Sequence, residues 1–457
     1  MHTKSIALFL GPIIACMATA LMWFSGAAPA AAITLGITLG TVIWWIFEPI
    51  PIPVTSLLPL ALLPMFGVLT PQQLGAAYGH PLVLLLLGGF LLATALENSG
   101  AHKRIALTMV KAFGGNSSRR LVFGFMAASA VLSMWISNTA TVIMLLPVAT
   151  AVLASSRDKD LSTPLLLAIA WGASIGGIGT PIGTPPNIVF MGIYEEVTGS
   201  AISFATWMSW AIPIALVLFP IAGFWVTRRL RYVGEISLPE IGTWTLHERR
   251  VFIVFALTAL AWITRTGPFG GWAGLLGLPY TNDAIVAFLG VVTLFLIPNG
   301  KGAKLLDWEA ASTIPWGMLL LFGAGISIAS AFMSSGLSTI IGEFLKHLSE
   351  LDLLLMIATI CISVTFLTEV TSNTATTTLL MPIMAAAALA AGTDPKLFMI
   401  PAALSASCAF MLPVATPPNL IVFSTGKFTV ATMAREGFAM NLFGVAVISL
   451  MIYFILG

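Results

Sequence analysis

The chain reads as long apolar runs separated by short clusters of charge, Pro or Gly. There are thirteen such runs, at roughly 5–24, 31–47, 52–69, 82–97, 121–155, 161–193, 205–227, 250–264, 283–298, 314–333, 353–391, 397–426 and 438–456. Most approach the ~20 residues that a helix needs to cross a ~30 Å hydrocarbon core. A bilayer admits only helices or closed barrels, because no water is there to satisfy a free peptide group. Two runs, 121–155 and 353–391, are too long for one crossing and have no charged break except Glu369. Folded at the middle, each arm reaches about 25–30 Å, short of a full crossing, so each predicts a re-entrant helical hairpin. The opening run invites a second reading, because Lys4 precedes it and Ala28-Pro29-Ala30 resembles a small-residue cleavage site. Its length favours a retained first span.

Comparison of the chain with itself finds three repeated blocks. Ser137-Asn138-Thr139-Ala140-Thr141 recurs as Ser372-Asn373-Thr374-Ala375-Thr376, with Pro147 recurring as Pro382, at an offset of 235. Thr184-Pro185-Pro186-Asn187 recurs as Thr416-Pro417-Pro418-Asn419 at 232, and Pro81 with Leu85-Leu86-Leu87 and Gly89 recurs as Pro315 with Leu319-Leu320-Leu321 and Gly323 at 234. One near-constant offset makes the chain two related halves, about 31–227 and 250–456, with residues 1–24 in front. Each half holds five spans and one hairpin, an odd number of crossings whichever way the hairpin counts, so the halves insert with opposite orientation. That is the inverted repeat of secondary transporters. His102, Lys103, Arg104, Lys111, Arg119 and Arg120 fill one loop, and Arg228, Arg229, Arg231, Arg249 and Arg250 another two spans away. The positive-inside rule puts both in the cytoplasm, with the N-terminus inside and the C-terminal Gly457 outside.

Composition narrows the class further. Hydrophobic residues make up 58% and charged ones 8%, too few charges to cover a soluble globule, so the fold class is an all-α polytopic membrane protein. Its 20 Lys and Arg against 18 Asp and Glu form no basic stripe for a nucleic acid. Cys16, Cys361 and Cys408 lie far apart in apolar runs, without the spacing of a zinc site or a disulfide framework.

The repeated motifs carry the candidate chemistry. Each Ser-Asn-Thr triplet falls at the centre of its hairpin run, which makes it the tip. Ser and Asn suit a turn by themselves, but turn duty does not require the same five residues twice. Gly177, Gly179, Pro181, Gly183, Pro185 and Pro186 interrupt one run, and Pro413, Pro417 and Pro418 another, so neither is a continuous helix. Unwound backbone at membrane depth is tolerated where it lines a cavity, and its free groups become ligands. Residues 121–156, 161–194 and 397–426 contain no Asp, Glu, Lys, Arg or His, and 353–393 only Glu369. An arginine clamp is therefore absent. Helix starts capped by Ser or Asn attract anions, while carbonyls and hydroxyls suit sodium.

On these paired tips and broken helices the sequence closely resembles the divalent anion/sodium symporters, or INDY-type transporters, over essentially its whole length. The resemblance implies about 11 transmembrane helices plus two re-entrant hairpins, a homodimer in the plasma membrane and an elevator mechanism. It implies a scaffold from 1–120 and 236–352, and a transport domain from 121–235 and 353–457. Carried over by motif, the first sodium site is Ser133, Ser137, Asn138 and Gly183. The second is Thr368, Thr371, Asn373 and Ala415, mostly through backbone carbonyls. The substrate set is Ser137, Asn138, Thr139, Thr184, Ser372, Asn373, Thr374 and Pro417. Sodium is the coupling ion and no other cofactor is implied. Thr184 stands where some dicarboxylate carriers have Ser, and Thr371 where a small residue occurs, which leaves substrate preference open. The implied activity is sodium-coupled import of succinate, malate or fumarate.

Other readings have footholds. Gly172-Ala173-Ser174-Ile175-Gly176 satisfies the nucleophile-elbow pattern, but His2, His80, His102, His247 and His347 all lie at run boundaries or loops away from the motifs. Small residues for helix packing account for the stretch better. A channel is disfavoured by two occluding hairpins. Glu369, with Met134 at the equivalent position, suits a proton relay, so a proton-coupled carrier, an anion exchanger, or a sulfate or tricarboxylate carrier remains as an alternative. Glu48 and Glu97 sit at span ends, as interfacial or capping residues.

Overall fold

The computed structural model describes residues 2–113, 117–156, 158, 160–231, 242–267, 270–345 and 351–456. His347 and Gly457 lie outside these. The described chain is helical, with no β-strand. The first helix, α1 (His2–Phe24), docks along α2 (Pro29–Phe47), where Trp44 Nε1 donates to the Ala7 carbonyl at 3.1 Å.

From α2 onward the halves match element for element. The first continues with α3 (Ile52–Thr55), α4 (Leu57–Met65), α5 (Pro71–Tyr78), α6 (Pro81–Ser99) and α7 (Ala101–Phe113). Then come a hairpin, α8 (Ser118–Ser133) and α9 (Asn138–Ser155), a broken helix, α10 (Ser162–Gly177) and α11 (Pro185–Thr198), and α12 (Phe204–Thr227). The second half begins with α13 (Leu246–Ile263), α14 (Gly271–Leu275), α15 (Asp283–Leu296), α16 (Trp308–Ala311), α17 (Trp316–Ser335) and α18 (Leu337–Leu345). Its hairpin is α19 (Leu353–Thr368) and α20 (Asn373–Ala390), its broken helix α21 (Lys396–Ala406) and α22 (Pro417–Phe423), and its last span α23 (Val430–Leu456). The likeness reaches the caps. Gly100 ends α6 at φ 80° and Gly336 ends α17 at φ 76°, a left-handed turn that glycine adopts without strain.

Among the described residues eight helices are long and apolar enough to cross a membrane, and they include the return arms α9 and α20. The entering arms α8 and α19 have 16 residues each, about 24 Å of helix. Helix α23 starts at Val430, ahead of the expected 438. Its polar first turns stay helical because buried Glu436 pairs with Arg228 at the end of α12. Glu48 is the C-cap of α2 and Glu97 lies in the last turn of α6, as expected of span ends. Outward faces carry exposed apolar side chains such as Leu216, Leu257, Leu289 and Phe454, which suits contact with lipid.

Two features of the packing position the site. Each entering arm lies on its own broken helix, α8 on α10 and α19 on α21. Each return arm packs both on its own broken helix, α9 on α10 and α20 on α21, and on the other half's, α9 against α22 and α20 against α11. The halves are therefore interleaved at the motifs. Away from them, Arg104 of α7 grips Glu248 of α13 through two hydrogen bonds of 3.0 and 3.1 Å, a second tie between the halves.

Candidate functional site at the hairpin tips and broken helices

Four helices begin at the repeated motifs: α9, α11, α20 and α22. Their N-caps are Ser137, Thr184, Ser372 and Thr416, all extended, as capping residues are. Pro185 and Pro417 occupy first helical positions, where the missing N–H removes no hydrogen bond. Ser137 Oγ accepts from the Ala140 N–H at 3.1 Å and Thr416 Oγ1 from the Asn419 N–H at 3.2 Å. Thr184 and Ser372 make no side-chain cap bond, so each half contributes one helix start whose amides are uncapped by its own side chain, the break in the first and the hairpin in the second. Such starts favour negative charge.

The first tip closes on its broken helix through Asn138. The Ser133 hydroxyl donates to Asn138 Oδ1. A Cβ on Gly183 would lie 2.5 Å from the Gly177 carbonyl and 2.9 Å from the Ser133 carbonyl, so the backbones of tip and linker meet there because no side chain intervenes. Ser133, Asn138 and Gly183 are thus brought together, with Ser137 beside them at the cap. In the second half Thr368 Oγ1 donates to Asn373 Oδ1 at 2.7 Å, the counterpart of the Ser133 bond, and lies 3.1 Å from the Ala406 carbonyl. Ala415 sits in a turn closed by its N–H to the Leu412 carbonyl at 3.2 Å. Thr371 differs: its hydroxyl bonds the Leu367 carbonyl and the Thr376 hydroxyl and faces a cavity of about 40 Å³ beside Val42 and Trp45 of α2. Thr139 and Thr374 are half-buried second residues of α9 and α20.

Asn187 and Asn419, which end the second repeated block, emerge as site-building residues that the sequence reading left without a role. Asn187 Nδ2 donates to the carbonyls of Gly177 and Thr180 at 2.9 and 2.7 Å. Asn419 Nδ2 donates to Ala409 and Leu412, both at 3.0 Å. The acceptors stand at equivalent positions, so one staple holds both unwound linkers open. The signal was the duplicated Asn, masked by the two prolines before it.

The donor set is hydroxyl, side-chain amide and main-chain oxygen, and the described residues hold no cluster of three His, Cys, Asp or Glu. Hard oxygen ligands of low charge suit a monovalent cation better than a transition metal. Ser174 lies inside α10, not on a strand-to-helix turn, and the glycines beside it pack on α8: a Cβ on Gly172 would lie 2.7 Å from the Met126 carbonyl. The elbow reading therefore fails on geometry.

Paired hairpins and paired broken helices, interleaved between matching halves, define a secondary transporter. Comparison with known families matches residues 2–456 to the one described as "Sodium:sulfate symporter transmembrane region", and the chain belongs to that family. A sodium-dependent dicarboxylate transporter of Staphylococcus saprophyticus is 39% identical, covering 98% of this chain and 91% of the relative. One from Staphylococcus aureus is 40% identical, covering 99% and 91%. Among solved structures, the YdaH transporter of Alcanivorax borkumensis aligns at a TM-score of 0.62 and 15% identity, over 85% of this chain and 88% of that one. MtrF of Neisseria gonorrhoeae aligns at 0.60 and 16%, over 85% and 84%. The last two share the fold.

Proposed function

We propose that the protein is a sodium-coupled symporter that carries C4-dicarboxylates such as succinate, malate and fumarate into the cell. The observation that carries the reading is the set of four helix starts with Ser or Thr at the N-cap position, on duplicated tips and breaks, in a family whose relatives are named sodium-dependent dicarboxylate transporters. Two similar tips suit a compact anion with two similar headgroups. Its carboxylates meet Ser137, Asn138, Thr139, Thr184, Ser372, Asn373, Thr374 and Pro417. One sodium takes oxygens of Ser133, Ser137, Asn138 and Gly183, and another those of Thr368, Thr371, Asn373 and Ala415. Each Asn serves an ion and the substrate, so neither is held well without the other. That shared use is the coupling, since anion and cation together settle where either alone is costly to desolvate.

In this reading the protein works as a homodimer in the plasma membrane, its N-terminus cytoplasmic. A scaffold of 1–120 and 236–352 holds a transport domain of 121–235 and 353–457, which carries the site across as an elevator. Interleaving of α9 with α22 and α11 with α20 supports motion of both halves' motifs as one body.

Uptake of labelled succinate into proteoliposomes, with sodium exchanged for choline, tests the function. Concentrative uptake is expected only in sodium. The family's description favours sulfate as a second substrate reading. Sulfate competing with succinate as well as malate does would replace the dicarboxylate assignment.

A further inference from the structure

The two halves dock tip to broken helix at equivalent positions, but with different chemistry. In the first half the Thr180 hydroxyl donates to the main-chain carbonyl of Met134, the residue that follows α8. In the second half Glu369 stands for Met134 and Leu412 for Thr180. Here the linker donates from its backbone and the tip accepts with a side chain. The Leu412 N–H meets Glu369 Oε2 at 2.9 Å. Oε1 receives the N–H groups of Phe410 and Met411 at 2.8 and 2.9 Å, and Asn441 Nδ2 of α23 at 2.8 Å. Glu369 is only 3% exposed. Three consecutive peptide N–H groups turned onto one carboxylate form a preorganised anion nest, here filled by the protein's own side chain.

We infer that Glu369 is a positioning residue for the second cation site, acting through the turn that it holds. The path is short. Leu412, fixed by its N–H, accepts through its carbonyl from the Ala415 N–H at 3.2 Å and from Asn419 Nδ2 at 3.0 Å. Ala415 is the linker's contribution to the second sodium shell, and Thr368, the neighbour of Glu369 in the chain, is the tip's. One carboxylate thereby fixes both walls of that shell. It is also the single charged side chain at the two hairpin tips and in the two unwound linkers, and a buried negative charge beside a cation site attracts the ion strongly. The first site has no such group. Its tip is tied by a neutral hydroxyl, so the two sodium sites are unequal by construction. Among the described residues, all four contacts donate to the carboxylate. The inference rests on the sodium-coupled reading given above.

The full-length protein, purified in detergent without substrate, is titrated with sodium chloride against choline chloride at fixed ionic strength while its melting temperature is followed. Succinate uptake is measured in proteoliposomes over the same sodium range. Glu369→Gln keeps the size and one acceptor oxygen but sets an NH₂ group against a peptide N–H. It is expected to raise the half-saturating sodium about tenfold in both assays, while the KM for succinate at saturating sodium moves less than about threefold. A brace with no part in cation binding would lower the melting temperature equally in sodium and in choline, and an unchanged sodium midpoint would overturn the assignment. If Glu369→Gln does not fold, Asn441→Leu, which removes one of the four donors, decides: a raised midpoint supports the assignment and the wild-type midpoint overturns it. Wild-type protein that sodium does not stabilise would remove the sodium-coupled reading and this assignment together.

Discussion

Gly177 stands directly against the side-chain amide of Asn138: a Cβ built on it would lie 2.6 Å from Asn138 Oδ1. The residue at the equivalent place in the second half is Ala409, which already carries that carbon. The two broken helices therefore approach their tips with different clearance, although the tips read alike. Gly177→Ala is expected to displace Asn138 and reduce sodium-driven uptake at least about tenfold with the protein still folded. Ala409→Gly should change uptake little. Equal uptake in Gly177→Ala and wild type would show that Asn138 is not held where it acts.

The asparagine staples give a sharper stability test. Asn187→Asp and Asn419→Asp keep the shape, remove the amide donor and leave two buried carbonyls unpaired, at about 1–3 kcal/mol for each. Both variants should melt several degrees lower in detergent and lose uptake, to a similar extent in the two halves. A melting temperature unchanged in either would mean that its linker is held by something else.

Much of this architecture was legible because membrane helices declare themselves by length and a duplicated gene repeats its signals. The tips, the breaks and the pairing of Ser137 with Ser372 follow from identity at a fixed offset. Short helices such as α5, α7, α16 and α18 were not legible, since they lie outside the apolar runs. Neither was the start of α23, where a buried ion pair overrides the polar appearance of Arg435 and Glu436. Self-comparison finds what the halves share, and it set Met134 opposite Glu369 without showing what either contacts. Glu369 against Met134, Leu412 against Thr180 and Ala409 against Gly177 are differences whose meaning needs three-dimensional contacts.

Asn138→Ala and Asn373→Ala are each expected to weaken succinate affinity and the dependence on sodium together, because the proposed site gives each side chain to both ligands. Ser174→Ala, which deletes a buried hydroxyl without a hydrogen-bond partner, should leave uptake unchanged and stability unchanged or slightly raised. Isothermal titration and uptake kinetics separate the two effects. Normal sodium-driven uptake in either Asn variant would remove that residue from the site.

Orientation is open to chemical labelling. With Cys16, Cys361 and Cys408 replaced by Ser, a cysteine at exposed Lys103 should resist a membrane-impermeant thiol reagent in intact cells. One at Tyr280, which is 92% exposed in the segment between α13 and α15, should react. The opposite pattern would invert the proposed topology.

Crosswise packing has a consequence for how the protein is made. When synthesis has delivered the chain only as far as α12, α9 lacks α22 and α11 lacks α20. Hydroxyls and unwound peptide groups of the first tip and break then lack the part of their enclosure that the second half supplies. Maturation must therefore be a late, concerted event that waits for the last broken helix. A nascent chain truncated before α22 should accordingly remain a substrate for membrane quality control, and expressing the two halves as separate polypeptides should restore a transporter only when both are present.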